Sequence, residues 1–485
     1  MSDLNKENSY KTILKRISSF GGVQVFNILI NLIRGKFVAL LLGPEGMGIS
    51  SLFVSSSNTI QQLSGLGLNL AIVKEVASEK EKGGNLNRIF SIALRLIFFT
   101  AIIGAILCVV LSPLLSKWSF GNYNYTLSFV FLASGVALSV AGAGYLSLLQ
   151  GMGEVKRLAK SSIVGGLTGL LGGIPMYYFW GYRGIVPAIV LLSVTTFLFY
   201  YFSFKRSIPY EKLSFALKEH RPLIKKMISL GMILMLGSLA GTFTNYLINI
   251  IIRYYGSIDN IGLFQAANSI TNQYVGIIFS ALALDYFPRL SAISSDLEKM
   301  NKVVNRQCEI VILIMAPLVI LVLLTTPLLI RLLLAETFIV VTPLVQWLAL
   351  GVFLQGITFP LSYLYIANEN KKIYFWLEIV LSNVLWLACS FIFYYYFSLI
   401  GLGISLVVRT GIDIFITYFI CFRFYGFNFF IKTIKSILIC MCLVVAGFIF
   451  TQFLPSVSIL ALSIILGLSL VYSSAILIAQ WHKNN

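Results

Sequence analysis

Charge is scarce in this sequence, and acid scarcer still. Only 11% of its 485 residues are charged, with 18 Asp or Glu against 36 Lys or Arg, and the only histidines are His220 and His482. The six cysteines (Cys108, Cys308, Cys389, Cys421, Cys440 and Cys442) all fall in apolar stretches without histidine or acid at ligand spacing. That argues against a zinc site and against a disulfide framework, so no metal is expected. No glycine-rich nucleotide-binding motif is present, which argues against direct ATP drive, and no cofactor is expected. The formal charge of +18 does not read as nucleic-acid binding, because no long basic or aromatic-interleaved surface remains outside the apolar segments.

What is present is apolar sequence. Hydrophobic residues make up 58% of the chain and mean hydropathy is +0.89, a composition that suits a bundle of membrane helices. Apolar runs of twenty or more residues exclude a barrel, which would show short alternating segments. Fourteen segments can be drawn, at about 18–42, 47–73, 89–115, 125–150, 161–181, 184–204, 224–254, 261–288, 307–333, 341–367, 372–397, 400–422, 433–454 and 457–481. Each is long enough to span a bilayer. The expected fold is an all-α polytopic membrane protein.

Assigning alternate loops to alternate sides puts 28 of the 36 basic residues on one side, together with both termini. Retention of basic loops then places both termini in the cytoplasm. Residues 1–17 are polar and basic, with no cleavage site after a short apolar core, so the first helix reads as an uncleaved anchor. The longest connection, 205–223, reads as an amphipathic cytoplasmic linker between two halves.

The halves repeat. Leu42-Gly-Pro-Glu-Gly-Met-Gly-Ile-Ser-Ser-Leu-Phe53 joins the first two segments, and Tyr255-Gly-Ser-Ile-Asp-Asn-Ile-Gly-Leu-Phe264 joins the seventh and eighth. Both following helices are rich in Ser, Asn and Gln. Two six-helix lobes follow, an N-lobe at 18–204 and a C-lobe at 224–424, related by pseudo-symmetry as in transporters built from parallel repeats. Residues 425–485 hold two further helices and the tail.

These motifs resemble those of bacterial polysaccharide flippases of the Wzx type. The likeness is carried by Gly35-Lys36…Ala39…Gly43-Pro44-x-Gly46-x-Gly48, by Ile261-Gly-Leu-Phe-Gln265 with Tyr286-Phe-Pro-Arg-Leu290, and by Tyr363-Leu-Tyr-Ile-Ala367, Tyr374-Phe-Trp-Leu-Glu378 and Gly401-Leu-Gly403. It covers about residues 15–425. The resemblance implies two lobes around a central cavity, in a monomer of the bacterial inner membrane. It also implies translocation of an undecaprenyl-pyrophosphate-linked oligosaccharide for O-antigen or capsule-like polysaccharide, in functional association with a polysaccharide polymerase. Many relatives stop at twelve helices, and the two extra ones here are similar to those of lipid II flippases.

A pyrophosphate headgroup needs fixed cations in a wet hollow, where Arg offers bidentate geometry and Lys a point charge. Lys36 lies about 27 Å along the first helix, past the middle of a hydrocarbon layer about 30 Å thick, and a charge at such depth marks a functional site. Arg34 and Lys36 stand about 200° apart around that helix, so they cannot both face one way. Lys36 matches the family motif and is expected to face the cavity, the other packing between helices or reaching outer headgroups. Arg253 resembles a family arginine, with an interfacial role as the alternative. Arg95 either snorkels or receives the entering headgroup. Arg409 with Asp413 at i,i+4 either neutralises itself or contacts substrate. Asp285, Glu378 and Asp413 are candidates for proton or cation coupling, with Asp285 also set to pair with Arg289. Polar stripes, Gln24, Asn27 and Asn31 in the first helix and Thr242, Asn245 and Asn249 in the seventh, either line the cavity or hold helices together. No residue is expected to be catalytic, and membrane lipid and the glycolipid are the expected partners. A multidrug exporter of the same superfamily would want an acid-dominated cavity. A membrane polymerase or ligase would want a sizeable outer loop, and the loops here are short.

Overall fold

A computed structural model describes residues 2–207, 221–294, 296–368, 370–453 and 458–482, with side chains from residue 26 onward apart from a few stretches, chiefly 272–278 and 280–285. Most of the expected linker, 208–220, lies outside the described residues, as do the side chains of Gln24 and Asp285. The regular elements among the described residues are all helices, and ten helical stretches among them are long and apolar enough to cross a membrane.

Helix α1 (Ser2–Gly65) is interrupted at Gly43, with φ 65° and ψ −165°. Glycine takes this left-handed region without strain, and Pro44 removes the next backbone donor, so the expected turn sits here. A second interruption was not expected. Leu66 and Gly67, with φ of 49° and 61°, separate α1 from α2 (Leu68–Glu81). Then come α3 (Leu86–Val110), α4 (Ser112–Phe120), α5 (Thr126–Gly151), α6 (Val155–Trp180) and α7 (Ile185–Ser207). Gly165 and Gly169 let α6 lie directly against Thr196 and Leu192 of α7, the close packing that small residues give membrane helices.

The chain packs as two compact units, residues 1–262 and 263–485. Helix α8 (Arg221–Tyr255) belongs to the first and is tied to it along its length. Near one end, Gly231 meets the backbone of Leu66 and Gly67, and Lys226 Nζ lies 2.8 Å from Glu75 Oε1. Glu75 is only 7% exposed, and such an acid requires this partner. Toward the other end, the Tyr246 and Ser119 hydroxyls are 2.8 Å apart. Asn249 donates to Ser55 Oγ at 3.2 Å, and Arg253 Nη2 donates to the Phe120 carbonyl at 2.7 Å, closing the end of α4.

Gly67 therefore has two reasons to be glycine, its positive φ and the abutting Gly231 carbonyl. Gly67→Ala is expected to destabilise the protein by about 3 kcal/mol, strain and overpacking combined. Thermal unfolding in detergent measures this, and an unchanged midpoint would refute the crossing.

The second unit holds most of α9 (Ile258–Ala292), then α10 (Leu297–Leu333), α11 (Thr342–Ala367), the short α12 (Lys371–Tyr374), α13 (Ser382–Tyr425), α14 (Ile431–Phe453) and α15 (Ser458–His482). Between α12 and α13 the backbone runs as a π-helical turn, Phe375–Leu381. Ser398, with φ 51°, interrupts α13 at the expected turn before Gly401. The two helices beyond the repeat are built into this unit. Glu309, 4% exposed, accepts from Ser436 Oγ at 3.1 Å and pairs with Lys432 Nζ at 3.3 Å. Gln452 donates to Gln346 at 2.6 Å.

Candidate functional site

Each unit encloses a polar hollow of its own. In the first unit the stripe Asn27, Asn31 and Arg34 recurs at i, i+4 and i+7, which places all three on one face of α1. That face looks into a hollow of about 450 Å³, inside the range of small-molecule sites. Helix α6 contributes Gly166, Gly169 and Gly173 to the lining, where a side chain on Gly166 or Gly169 would collide with Ile30 or Leu192. Hydroxyls complete the lining. Asn27 Nδ2 donates to Ser162 Oγ at 3.1 Å, and Ser139 donates to Ser193 at 2.9 Å; Thr196, Tyr177 and Tyr200 also line it. Arg34 is the one charged side chain among its described lining residues. A guanidinium surrounded by neutral donors and acceptors offers an anion a bidentate partner, and the hydroxyls and amides suit sugar.

In the second unit, a hollow of about 240 Å³ is lined by Gln355, Thr358 and Ser362 of α11, Glu378 of the π turn, and Ser382, Arg409 and Asp413 of α13. Arg409 Nε lies 3.1 Å from Asp413 Oδ2, with the side chains 20% and 16% exposed. Ser382 bridges them, accepting from Arg409 Nη2 at 2.9 Å and donating to Asp413 Oδ2 at 3.3 Å. The Arg409 guanidinium carbon stands 5.7 Å from the centre of the Trp386 ring. Glu378 accepts a hydrogen bond from the Tyr365 hydroxyl. Two carboxyl groups face one guanidinium, so acidic side chains outnumber basic ones in this hollow. A π turn is a common feature of functional sites, and nothing in Phe375–Leu381 read alone signals it.

The structure thus brings Asn27, Asn31 and Arg34 together, and separately Glu378, Arg409 and Asp413. Lys36, Arg95 and Asn245 are in neither lining. Asn249 and Arg253 use at least one donor each in bonds within the first unit. The lining residues Ser139, Ser162, Thr196, Tyr200 and Ser382 were not singled out from sequence; single hydroxyls in apolar helices carry too little pattern to be noticed.

A family model described as "Polysaccharide biosynthesis protein" matches residues 37–343. The lipid III flippase of Escherichia coli (strain K12) is 24% identical over 358 residues, covering 72% of this chain and 83% of that protein. Among solved structures, the lipid II flippase MurJ in an inward closed conformation matches with a TM-score of 0.70 at 14% identity, over 96% of this chain and 99% of that one. An inward-facing multidrug resistance MATE family transporter matches at 0.69 and 18%, over 81% and 94%. At these identities the two structures show a shared all-helical transporter fold.

Proposed function

This chain belongs to the polysaccharide biosynthesis protein family, and from that membership we propose that it is a flippase. It moves a polyprenyl-pyrophosphate-linked oligosaccharide from the inner to the outer leaflet of the bacterial cytoplasmic membrane. The single observation that carries the reading is Arg34, a guanidinium in a polar hollow inside an otherwise apolar bundle. A pyrophosphate headgroup is the lipid-borne chemistry such a group suits, and the amide and hydroxyl lining suits the attached sugars. The lipid III flippase relative supports the same class of substrate.

The finer reading follows the sequence. The substrate is an O-antigen or capsule-like repeat unit handed on to a polymerase. The chain crosses the membrane fourteen times, with both termini in the cytoplasm. Glu378 and Asp413, facing one guanidinium, make the second hollow the seat of proton or cation coupling. That acidity also favours one rival, export of an organic cation.

Reconstitution separates the two. Proteoliposomes carrying the full chain are given a fluorescent polyprenyl-pyrophosphate glycan or ethidium. The flippase reading expects glycan translocation at least tenfold above protein-free vesicles and no ethidium flux. Ethidium flux with an inert glycan would overturn it.

A further inference from the structure

The ends of α6 and α7 that carry the basic loops form a third hollow, outside both sites above. It measures about 600 Å³ and is lined by Arg157, Lys160, Ser161 and Val164 of α6 with Phe199, Phe202, Ser203 and Arg206 of α7. The spacing makes it a face of each helix. Arg157, Lys160 and Val164 stand at i, i+3 and i+7, and Phe199, Ser203 and Arg206 at i, i+4 and i+7. Its floor is the hydrogen-bonded pair of hydroxyls, Ser161 and Ser203.

Two features narrow what it would take. Three cations converge at one end, opposed by Glu154, whose Oε2 lies 3.7 Å from Arg157 Nε. Both partners of that pair are more than a third exposed, so it holds Arg157 weakly and leaves most of its donor fork open. The remaining wall is apolar, Val164, Phe199 and Phe202, and Phe202 is 48% exposed. The wall lies on a stretch, Val155–Arg206, apolar enough to cross a membrane. A soluble anion would use the cations but not the wall. A ligand with an anionic head and an apolar body uses both.

We propose that this hollow binds the phosphate of a lipid, with Arg157, Lys160 and Arg206 on the phosphate oxygens, Ser161 and Ser203 beneath, and the chain of the lipid along Phe199 and Phe202. The charge distribution puts it at the inner leaflet. The site does not depend on the flippase reading, and its lipid is either a bulk anionic phospholipid or a polyprenyl pyrophosphate. Basic side chains near an anionic lipid surface each add to affinity, and three together give a large effect.

The test uses the full chain in detergent, titrated with dioctanoyl phosphatidylglycerol, dioctanoyl phosphatidylcholine and geranylgeranyl diphosphate. The variant R157Q/K160Q/R206Q is compared with wild type and with K371Q/K372Q/K435Q, which removes the same charge from exposed positions in the other unit. The pocket variant is expected to lose at least tenfold in affinity for phosphatidylglycerol, with the control variant at wild-type affinity and phosphatidylcholine indifferent throughout. If geranylgeranyl diphosphate displaces phosphatidylglycerol from wild type, the pyrophosphate lipid is the occupant; if it does not, the bulk phospholipid is. Equal affinity of wild type and pocket variant, or an equal loss in the control, overturns the proposal. Inorganic pyrophosphate competing as well as the lipids would also overturn it, since the apolar wall would then contribute nothing. A failed pocket with intact glycan translocation leaves the proposed function standing.

Discussion

Replacing Arg34 with glutamine is expected to slow glycan translocation by at least about thirtyfold while leaving the protein as stable as before. Removing one partner of a desolvated, hydrogen-bonded charge pair costs about 2–5 kcal/mol, and 2 kcal/mol is already about thirtyfold. The stability half of the prediction separates function from structure. Among the described residues Arg34 is the single charge of its hollow, so its removal orphans no carboxylate there. An arginine that held helices together would show the reverse, a lowered unfolding midpoint. Arg34→Lys keeps the charge and loses the two-pronged geometry, so it is expected to fall between wild type and Arg34→Gln. Lys36→Gln run in parallel divides the role between the two cations of α1. Translocation by Arg34→Gln at the wild-type rate, in correctly folded protein, would remove the proposed anion site.

The segments and several of their turns were legible in the sequence because their causes are local. Long apolar runs mark the helices, Gly43-Pro44 interrupts one, and the stretch from Ser398 to Gly401 interrupts another. The phase of the polar stripe was also legible, since 27, 31 and 34 are helical neighbours, although the family likeness drew attention to Lys36. What could not be read depends on distant partners. The break at Leu66–Gly67 is set against Gly231, more than 160 positions away. Glu75 follows the second apolar segment and Glu309 opens the ninth, and nothing in the sequence marks either, yet each is buried and paired with a lysine from another helix. The docking of α8 along the first unit rests on hydroxyl, amide and carbonyl contacts that no spacing rule encodes. The i,i+4 spacing of Arg409 and Asp413 predicted their pairing, but not that Ser382 and Glu378 would share the hollow with them.

That last cluster gives the other large expected effect. Arg409→Ala leaves Asp413 and Glu378 facing each other without their cation, and breaking a buried pair by removing one member costs about 3–5 kcal/mol. The side chains here are 20% and 16% exposed and border a polar hollow, so the low end, about 3 kcal/mol, is expected. Asp413→Ala costs less, because Ser382 and the Trp386 ring still engage the guanidinium. Arg409→Ala with Asp413→Ala removes both charges and is expected to recover most of the loss. A double-mutant cycle in detergent, read by thermal unfolding, measures the coupling; a coupling below about 0.5 kcal/mol would show that the ion pair contributes little. The stabilised double variant then answers a question the single ones cannot. If the hollow only holds α13 together, the double variant flips glycan normally. If its charges take part in coupling, the double variant folds and binds glycan yet fails to move it under an imposed ion gradient. Only the second result assigns Arg409 and Asp413 a part in transport.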